Sequence, residues 1–358
     1  MQSQRIRRVT MGVLPLVAMA TLLAACSSNN TGGSSGGSSG LSGTLNGSGS
    51  TFQLTFQQTA IQSFKSIQSG MTVNYGGGGS GKGRTDLASN VVQYAGSDTA
   101  PIPSDEVANF KGKTVLYIPV LVGPITISYN LPGIKSGLKL DAPTIADIFQ
   151  GKITKWNASQ IASLNPGVKL PSTSITIARR SDSSGTTQNF SEFLVEGAPG
   201  VWKLGSSSTI NWPATSRGGN GNGGVAQIVK STTGAVGYVD YADAKASGLT
   251  WATVKNKDGN YVAPSTQSAT EAADNVSVNS NLTFAAVWAS GAQSYPITYQ
   301  SWDLVYQKQS SSNTVKMLQA YLGYLVGDGQ KLLPELGYAP LPASLDQKAK
   351  SELSKISS

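Results

Sequence analysis

The chain has 358 residues, a formal net charge of +8 at pH 7 and a hydrophobic fraction of 39%. It contains no histidine and one cysteine, which excludes the usual general base of serine and cysteine hydrolases, an internal disulfide and a thiolate metal site. The length is sufficient for two domains of ordinary size. We predict neither a metal site nor a cofactor.

The N-terminus has the features of a signal peptide. Three arginines within the first eight residues precede an apolar stretch at 11–23 that is too short to span a bilayer. The following LAAC sequence resembles a bacterial lipobox, which implies cleavage before Cys26 and lipid attachment to its sulfur. We therefore predict a signal peptide at 1–25 and a lipid-anchored Gly/Ser tether at 26–40. An ordinary secretory peptide with an accidental cysteine is the alternative.

This N-terminus predicts an extracytoplasmic protein held at the cell membrane, or in the periplasm where the envelope has an outer membrane. Loss of the signal peptide removes three arginines and leaves a net charge of +5. The remaining lysines and arginines are scattered rather than clustered in a basic stripe with aromatic residues. We expect no nucleic-acid binding and only a mild attraction for anions.

Beyond residue 40, predicted strands and helices alternate. Apolar residues spaced by three or four predict a first helix with Phe52, Phe56, Ala60, Phe64 and Ile67 on its buried face. A strand follows at 71–75, a second helix begins near Thr85, and another strand leads to Asp98.

The central segment continues this alternation. Residues 114–129 form a β-branched run interrupted by Pro119 and Pro124, which predicts extended structure. Thr144 is predicted to cap a helix whose buried face lies within 145–149.

The last elements are predicted from the same patterns. A strand at 174–178 precedes a helix through 190–194, a further strand covers 235–241, and a late helix covers 315–325. Such alternation predicts an α/β architecture, which we divide into two lobes.

Three turns rich in glycine, serine or threonine follow predicted strands and precede helices. They are GSGSTF at 47–52, YGGGGSGKG at 75–83 and SDSSGTT at 181–187. The first turn of a helix has unpaired backbone N–H groups and partial positive charge, while glycine permits close approach and hydroxyls add donors. One such turn by itself favours a capped helix and surface loop, but three in one chain predict a site for a small oxyanion.

The segment GGGGSGKG at 76–83 nearly matches the nucleotide-binding P-loop. Its final position is Gly83, so the hydroxyl that binds magnesium is missing. Secretion would also separate the protein from cytosolic nucleotide. We therefore predict no nucleotide site.

Together, and in this order, the motifs resemble the PstS-type phosphate-binding lipoproteins of bacterial high-affinity phosphate transporters. The resemblance covers nearly the whole mature chain and rests on GSGSTF, VNYGGGGSGKG, AGSDTAP, IPVLVGPITISYN, IFQGKITKWN, RRSDSSGTT, GAVGYVDYA and GYAPLP. It implies a two-lobe α/β fold of the periplasmic-binding-protein type II class, with a mixed sheet flanked by helices in each lobe and hinge segments between them. It also implies a protein without enzymatic activity that captures inorganic phosphate between the lobes and delivers it to the membrane subunits of an ABC permease. We expect a monomer.

The resemblance further implies which residues bind phosphate. The matching positions are Thr51, Phe52, Ser80, Asp98, Arg180, Ser184, Gly185 and Thr186. Asp182 would pair with Arg180 and fix its orientation without touching the ligand, whereas Arg179 is expected to be solvated. Asp98 would accept the hydrogen bond of protonated phosphate and oppose sulfate, which carries no proton. In isolation, Asp98 would suggest only an Asx-turn.

The implied lobes are 41–119 plus 295–358, and 120–294. The two hinge segments are expected within 118–123 and 294–301. This division puts the implied phosphate-binding residues up to Asp98 in one lobe and those from Arg180 onwards in the other.

Three other functions remain open at this point. A secreted phosphatase or phosphotransferase could use Ser80 or Ser184 as nucleophile, although histidine is absent and no base is evident beside either serine. A binding protein for sulfate or molybdate is the second, and Asp98 argues against it. A lipid-tethered adhesin would leave the three turns unexplained.

Overall fold

The computed structural model describes residues 40–358, so the predicted signal peptide, Cys26 and most of the tether lie outside the described residues. The strands are β1 Gly43–Gly49, β2 Met71–Gly77, β3 Tyr94–Ser97, β4 Val115–Tyr129, β5 Lys139–Leu140, β6 Thr176–Arg180, β7 Arg217–Gly219, β8 Ala235–Asp240, β9 Thr250–Trp251, β10 Thr253–Lys255, β11 Tyr261–Val262 and β12 Thr298–Tyr306. The α-helices are α1 Leu54–Ile67, α2 Ser80–Ala88, α3 Ala142–Phe149, α4 Ser159–Leu164, α5 Gly185–Gly197, α6 Gly221–Ser231, α7 Tyr241–Ala246, α8 Thr266–Asp274, α9 Ser312–Leu325, α10 Leu333–Leu336 and α11 Ala343–Leu353. Short 3-10 helices occupy Val107–Phe110 and Asp328–Leu332.

Most strands belong to one mixed sheet with the order β2-β1-β3-β12-β4-β8-β6-β7, and β9 also pairs with β4. At one end, β1 is parallel to β2 and β3. At the other, β6 is parallel to β7 and β8. The central strands β12 and β4 are antiparallel. Strands β11, β10 and β5 form a separate small sheet.

Strand β4 connects the two ends of this sheet. It pairs with β12 from Val115 to Pro124 and with β8 from Ile125 to Tyr129. Every residue after Val115 is buried, as expected for a strand with a nearly continuous apolar run. The register shifts beside Pro119, where a bulge accommodates a residue that cannot donate a ladder hydrogen bond. The predicted extended segment is confirmed.

Helix α1 confirms most of the first predicted apolar face. Phe56, Ala60 and Phe64 are buried, whereas Ile67, the last helical residue, is 58% exposed. Phe52 lies before the helix, and its ring stacks on Tyr299 with a centroid separation of 4.0 Å. The periodic spacing therefore included Phe52, which is buried by its contact with Tyr299 and not by a position on the helix.

Helix α2 begins at Ser80, earlier than the predicted start near Thr85. The glycines of this segment hid the helix because glycine has low helix propensity. They are needed for close contacts: a Cβ on Gly83 would lie 2.7 Å from Gly49 Cα. Gly79 adopts a φ of 94°, a region that favours glycine, immediately before the helix starts.

Helix α3 is capped by Asp141 and not by Thr144 as predicted. The Asp141 carboxylate accepts a hydrogen bond from the Thr144 backbone N–H at 3.0 Å. Both residue types are favoured at this position, and Pro143 in the first turn indicates the earlier start. The predicted buried face within 145–149 is confirmed.

Other boundaries differ by one or two residues. Strand β6 extends to Arg180 instead of ending at 178, and Tyr241 begins α7 instead of ending β8. The helices predicted through 190–194 and 315–325 are confirmed as α5 and α9. Residues 40–358 form one compact unit, and no helix within them is long and apolar enough to cross a bilayer.

Candidate functional site

The three glycine- and hydroxyl-rich turns meet at one place. The Gly79 N–H donates to the Gly49 carbonyl at 2.9 Å, and the Gly81 N–H donates to the Ser183 carbonyl at 3.1 Å. A Cβ on Gly185 would lie 2.4 Å from Ser80 Oγ. Segments separated by more than 100 residues in sequence therefore interlock around the starts of α2 and α5.

Asp98 lies directly after β3 and is 2% exposed. The Ser301 hydroxyl donates to its Oδ1, and Ser80 Oγ lies 3.2 Å from its Oδ2 as donor. Asn189 Nδ2 donates to the Asp98 carbonyl at 2.7 Å. Hydroxyls distant in sequence therefore hold this carboxylate, in contrast to the local Asx-turn that the isolated motif suggests.

The protonation of Asp98 depends on opposing influences. Burial raises the pKa of its carboxyl, while hydrogen bonds from Ser301 and Ser50 and the positive charge of Arg180 lower it. The net direction is upward. Burial therefore disfavours the ionised form of Asp98, and an additional hydrogen-bond donor would favour it.

Arg180 ends β6 and is 3% exposed. Its Nε donates to Asp182 Oδ1 at 2.8 Å, its Nη2 donates to Oδ2, and its Nη1 donates to Thr186 Oγ1 at 3.2 Å. Burial acts to raise the pKa of Asp182, but hydrogen bonds and charge from Arg180 outweigh it and hold this pKa below its usual value. The structure thus places Asp182 where it fixes the guanidinium.

Ser184, Gly185 and Thr186 form the start of α5. Ser184 is the N-cap residue, and its Oγ accepts the Thr187 backbone N–H at 3.1 Å, so its own hydroxyl proton stays available for donation. Thr186 Oγ1 lies 3.3 Å from the Tyr299 hydroxyl. All three predicted residues lie at the positive end of α5, and Thr186 also accepts a hydrogen bond from Arg180.

Thr51 and Phe52 approach from the first turn. Thr51 Oγ1 accepts hydrogen bonds from the Asn222 backbone N–H at 3.3 Å and from Asn222 Nδ2 at 3.4 Å. The Phe52 N–H donates to Ser50 Oγ at 3.0 Å, and the Tyr338 hydroxyl donates to the Phe52 carbonyl at 2.8 Å. The predicted site residues thus lie in one largely buried cluster.

Sequence reasoning missed several members of this cluster, namely Ser50, Asn189, Asn222, Tyr299 and Ser301. Ser50 lies inside GSGSTF, and Asn222 lies in a glycine-rich run that starts α6, so both carried a usable signal. Ser301 and Tyr299 lie on β12, where the sequence indicated only a crossing between lobes.

Two further expectations need correction. Arg179 is half-buried rather than solvated, and its Nε donates to Ser216 Oγ at 3.3 Å. The sequence also showed no base beside Ser80, yet the Asp98 carboxylate lies at hydrogen-bond distance from that hydroxyl. Arg179 was expected to be solvated because only Arg180 was assigned a partner. The proximity of Asp98 to Ser80 was missed because it results from the parallel pairing of strands that are separated in sequence.

Lys82, the lysine of the P-loop-like segment, has a structural role. Lys82 pairs with Asp86 one helical turn later, and its side chain is 52% exposed. Within residues 40–358, no group of three or more carboxylates is arranged to hold a metal ion. The described cluster instead combines hydroxyls, helix starts and one arginine, which suits a small oxyanion.

A second buried carboxylate lies near the cluster on β12. Asp303 is fully buried and accepts hydrogen bonds from Gln57 Nε2 at 3.3 Å on Oδ1 and 3.0 Å on Oδ2. Burial raises the pKa of Asp303 to about 7, although hydrogen bonds from Gln57 and Gln53 act in the opposite direction.

The raised pKa of Asp303 predicts that the stability of the fold depends on pH. Between an unfolded pKa of about 3.9 and the folded value, the folded state binds more protons, so stability falls as pH rises. We expect the free energy of unfolding to fall by roughly 2 kcal/mol from pH 5 to pH 7 through this group. In Asp303→Asn, urea unfolding should show a flatter pH profile; an unchanged slope would contradict the assignment.

Comparisons with known proteins agree with this architecture. A family model described as a PBP superfamily domain matches residues 34–329. The phosphate-binding protein PstS of Pasteurella multocida (strain Pm70) is 35% identical over 290 residues, which cover 80% of this chain and 83% of that protein. The phosphate-binding protein PstS 2 of Mycobacterium tuberculosis (strain ATCC 25618 / H37Rv) is 33% identical over 325 residues, covering 84% of this chain and 85% of that protein.

A solved structure extends the comparison to the fold. The high-affinity periplasmic phosphate-binding protein PfluDING, determined with bound phosphate, matches with a TM-score of 0.71 at 19% identity. The match covers 86% of this chain and 93% of that chain. The predicted α/β fold of the periplasmic-binding-protein type is confirmed. The chain therefore belongs to the family of PstS phosphate-binding proteins within the PBP superfamily.

Proposed function

We propose that this protein captures inorganic phosphate in a cleft between two lobes and delivers it to the membrane subunits of an ABC-type phosphate permease. The convergence of three hydroxyl-rich helix starts with Arg180 and Asp98 is the observation that carries this proposal. The names of the curated relatives and the phosphate-bound PfluDING structure support the choice of ligand.

The proposed ligand contacts divide into donors and one acceptor. The donors are the hydroxyls of Thr51, Ser80, Ser184 and Thr186, the backbone N–H groups of Phe52 and Gly185, and the Arg180 guanidinium. The Ser80 hydroxyl and the Phe52 N–H would exchange Asp98 and Ser50, their partners in the structure, for the ligand. Asp98 would accept the proton that phosphate retains at neutral pH. Since Asp182 already neutralises Arg180, binding would depend on oriented dipoles as much as on net charge.

The two-lobe division, with 41–119 plus 295–358 opposite 120–294, is part of the proposal. The change of partner along β4, from β12 at Pro124 to β8 at Ile125, supports a crossing there. Thr51, Ser80 and Asp98 would then face the residues from Arg180 to Thr186 across the cleft. A ligand that contacts both sides favours the closed form.

We further propose that the protein acts outside the cytoplasm as a monomer, anchored through lipid on Cys26. The lipobox-like sequence supports the anchor, and the names of the relatives support the transport context. We also propose that it has no phosphatase activity. The neighbouring Ser80 and Asp98 side chains make this last point worth a direct assay.

Titration of the untagged mature chain tests the ligand. Calorimetry should show tight binding of phosphate, competition by arsenate, which is similarly protonated, and little or no binding of sulfate. Tight sulfate binding with weak phosphate binding would contradict the proposal and favour the alternative oxyanion.

The same preparation distinguishes binding from catalysis. Incubation with p-nitrophenyl phosphate and divalent metal ions should release no nitrophenol above the rate without protein. Turnover that disappears in Ser80→Ala would instead support the phosphatase alternative.

A further inference from the structure

Asn222 links hydroxyls that the proposed function assigns to opposite lobes. It is the second residue of α6 and is fully buried. Its Nδ2 lies 3.4 Å from Thr51 Oγ1 and 3.3 Å from Thr186 Oγ1, and its backbone N–H lies 3.3 Å from Thr51 Oγ1. The Asn222 side-chain amide therefore contacts one candidate phosphate-binding residue in each proposed lobe.

The surroundings of Asn222 tie the start of α6 to both sides of the site. The Gly221 N–H donates to Asp182 Oδ1 at 3.1 Å. A Cβ on Gly221 would lie 3.3 Å from Thr51 Cγ2, so there is little room for a side chain between the helix start and the first turn. Asn222 Oδ1 is buried without a hydrogen-bond partner in the described part of the chain. A buried unpaired carbonyl is destabilising, so fold stability alone does not account for an asparagine here.

We propose that Asn222 is an interlobe latch, a positioning residue that holds Thr51 against Thr186 when the cleft closes around phosphate. The inference rests on the proposed function and its two lobes. Bonds from Asn222 to Thr51 exist only while the lobes are together, so they stabilise the closed form relative to the open form. By linkage, that stabilisation increases the apparent affinity for any ligand that binds the closed form.

The latch also orients the hydroxyls. Because Nδ2 donates to both threonine oxygens, the hydroxyl hydrogens of Thr51 and Thr186 must point elsewhere. Arg180 Nη1 also donates to Thr186 Oγ1, which reinforces this direction. The Thr51 hydroxyl hydrogen is then available to an oxyanion, and the Thr186 hydrogen is directed either at Tyr299, 3.3 Å away, or at an oxyanion. Asn222 itself does not distinguish one tetrahedral anion from another.

Asn222→Ala tests the latch, with Asn220→Ala as the matched control. Asn220 is exposed, and its side chain makes no capping hydrogen bond within residues 40–358. Calorimetry should show that Asn222→Ala weakens phosphate and arsenate binding about tenfold each, the loss expected for one or two hydrogen bonds. Small-angle scattering should show less compaction at sub-saturating phosphate, and Asn220→Ala should match wild type in both measurements.

The outcomes separate the latch from the proposed function. Wild-type affinity and compaction in Asn222→Ala would overturn the latch alone, as would a changed phosphate-to-arsenate ratio, because the residue would then contact the ligand selectively. Absence of phosphate binding by the wild-type protein would overturn both. Thermal unfolding without phosphate checks folding, and Asn222→Leu, which keeps the branched shape, supplies the same measurements if the alanine variant is unfolded.

Discussion

Asp98→Asn is expected to remove most of the discrimination between phosphate and sulfate while weakening phosphate binding by a smaller factor. In the proposed site, the carboxylate would accept a hydrogen bond from the proton of phosphate but would face sulfate as an unpaired like charge. Sites that bond a ligand hydroxyl reject the analogue without it by up to ~10⁴ to 10⁵, and we expect the asparagine variant to lose at least about 100-fold of this ratio. Calorimetry with phosphate and with sulfate measures this ratio of affinities.

The structure supplies the control for this experiment. Asn at position 98 can still accept from Ser301, so the site should remain assembled. Asp303→Asn changes another buried carboxylate, which bonds Gln57 outside the proposed ligand contacts, and should leave the ratio unchanged. An Asp98→Asn protein with the wild-type phosphate-to-sulfate ratio would refute the role assigned to Asp98.

Arg180→Met is expected to reduce phosphate affinity by about 100-fold or more. Truncating one member of a buried hydrogen-bonded charge pair costs about 2–5 kcal/mol, and here the removed group is also the cation proposed to face the ligand. Arg179→Met is the matched control because Arg179 contacts Ser216 and the Arg180 carbonyl. It should bind phosphate within about threefold of wild type, since the loss of one partly exposed hydrogen bond is small.

A double variant separates lost binding from lost stability. Arg180→Met leaves the Asp182 carboxylate without its main partner, so the single variant should also unfold at a lower temperature. Adding Asp182→Asn removes that unpaired charge and should recover part of the stability without recovering phosphate affinity. Recovery of affinity in the double variant would show that Arg180 acts only by neutralising Asp182.

The β4 segment shows how far sequence patterns reach. Its apolar, β-branched run predicted extended structure despite two prolines, and the structure contains one strand there. The run could not indicate that β12 pairs with its first part and β8 with its second. Partner choice depends on packing between segments more than 100 residues apart in sequence, which no local pattern records.

The α2 start is the reverse case, in which a local rule was misleading. Glycine-rich sequence predicted a loop up to Thr85, but Gly81 and Gly83 are helical. A Cβ on Gly81 would clash with the Ser183 side chain, and a Cβ on Gly83 would clash with the backbone of Gly49. Glycine therefore serves close packing at this position, and its low helix propensity is overridden by tertiary contacts.

By itself, the sequence determined the alternating α/β order, the positions of the three glycine- and hydroxyl-rich turns and the resemblance that selected Asp98 and Arg180. These features are local, since each depends on the residue types within one short segment. Only the tertiary structure decided that Ser301 holds Asp98, that Asn222 joins Thr51 to Thr186 and that Asp303 is buried with a raised pKa. Each of these depends on which distant segments meet and how much water they exclude, and those properties belong to the folded chain rather than to any single stretch of it.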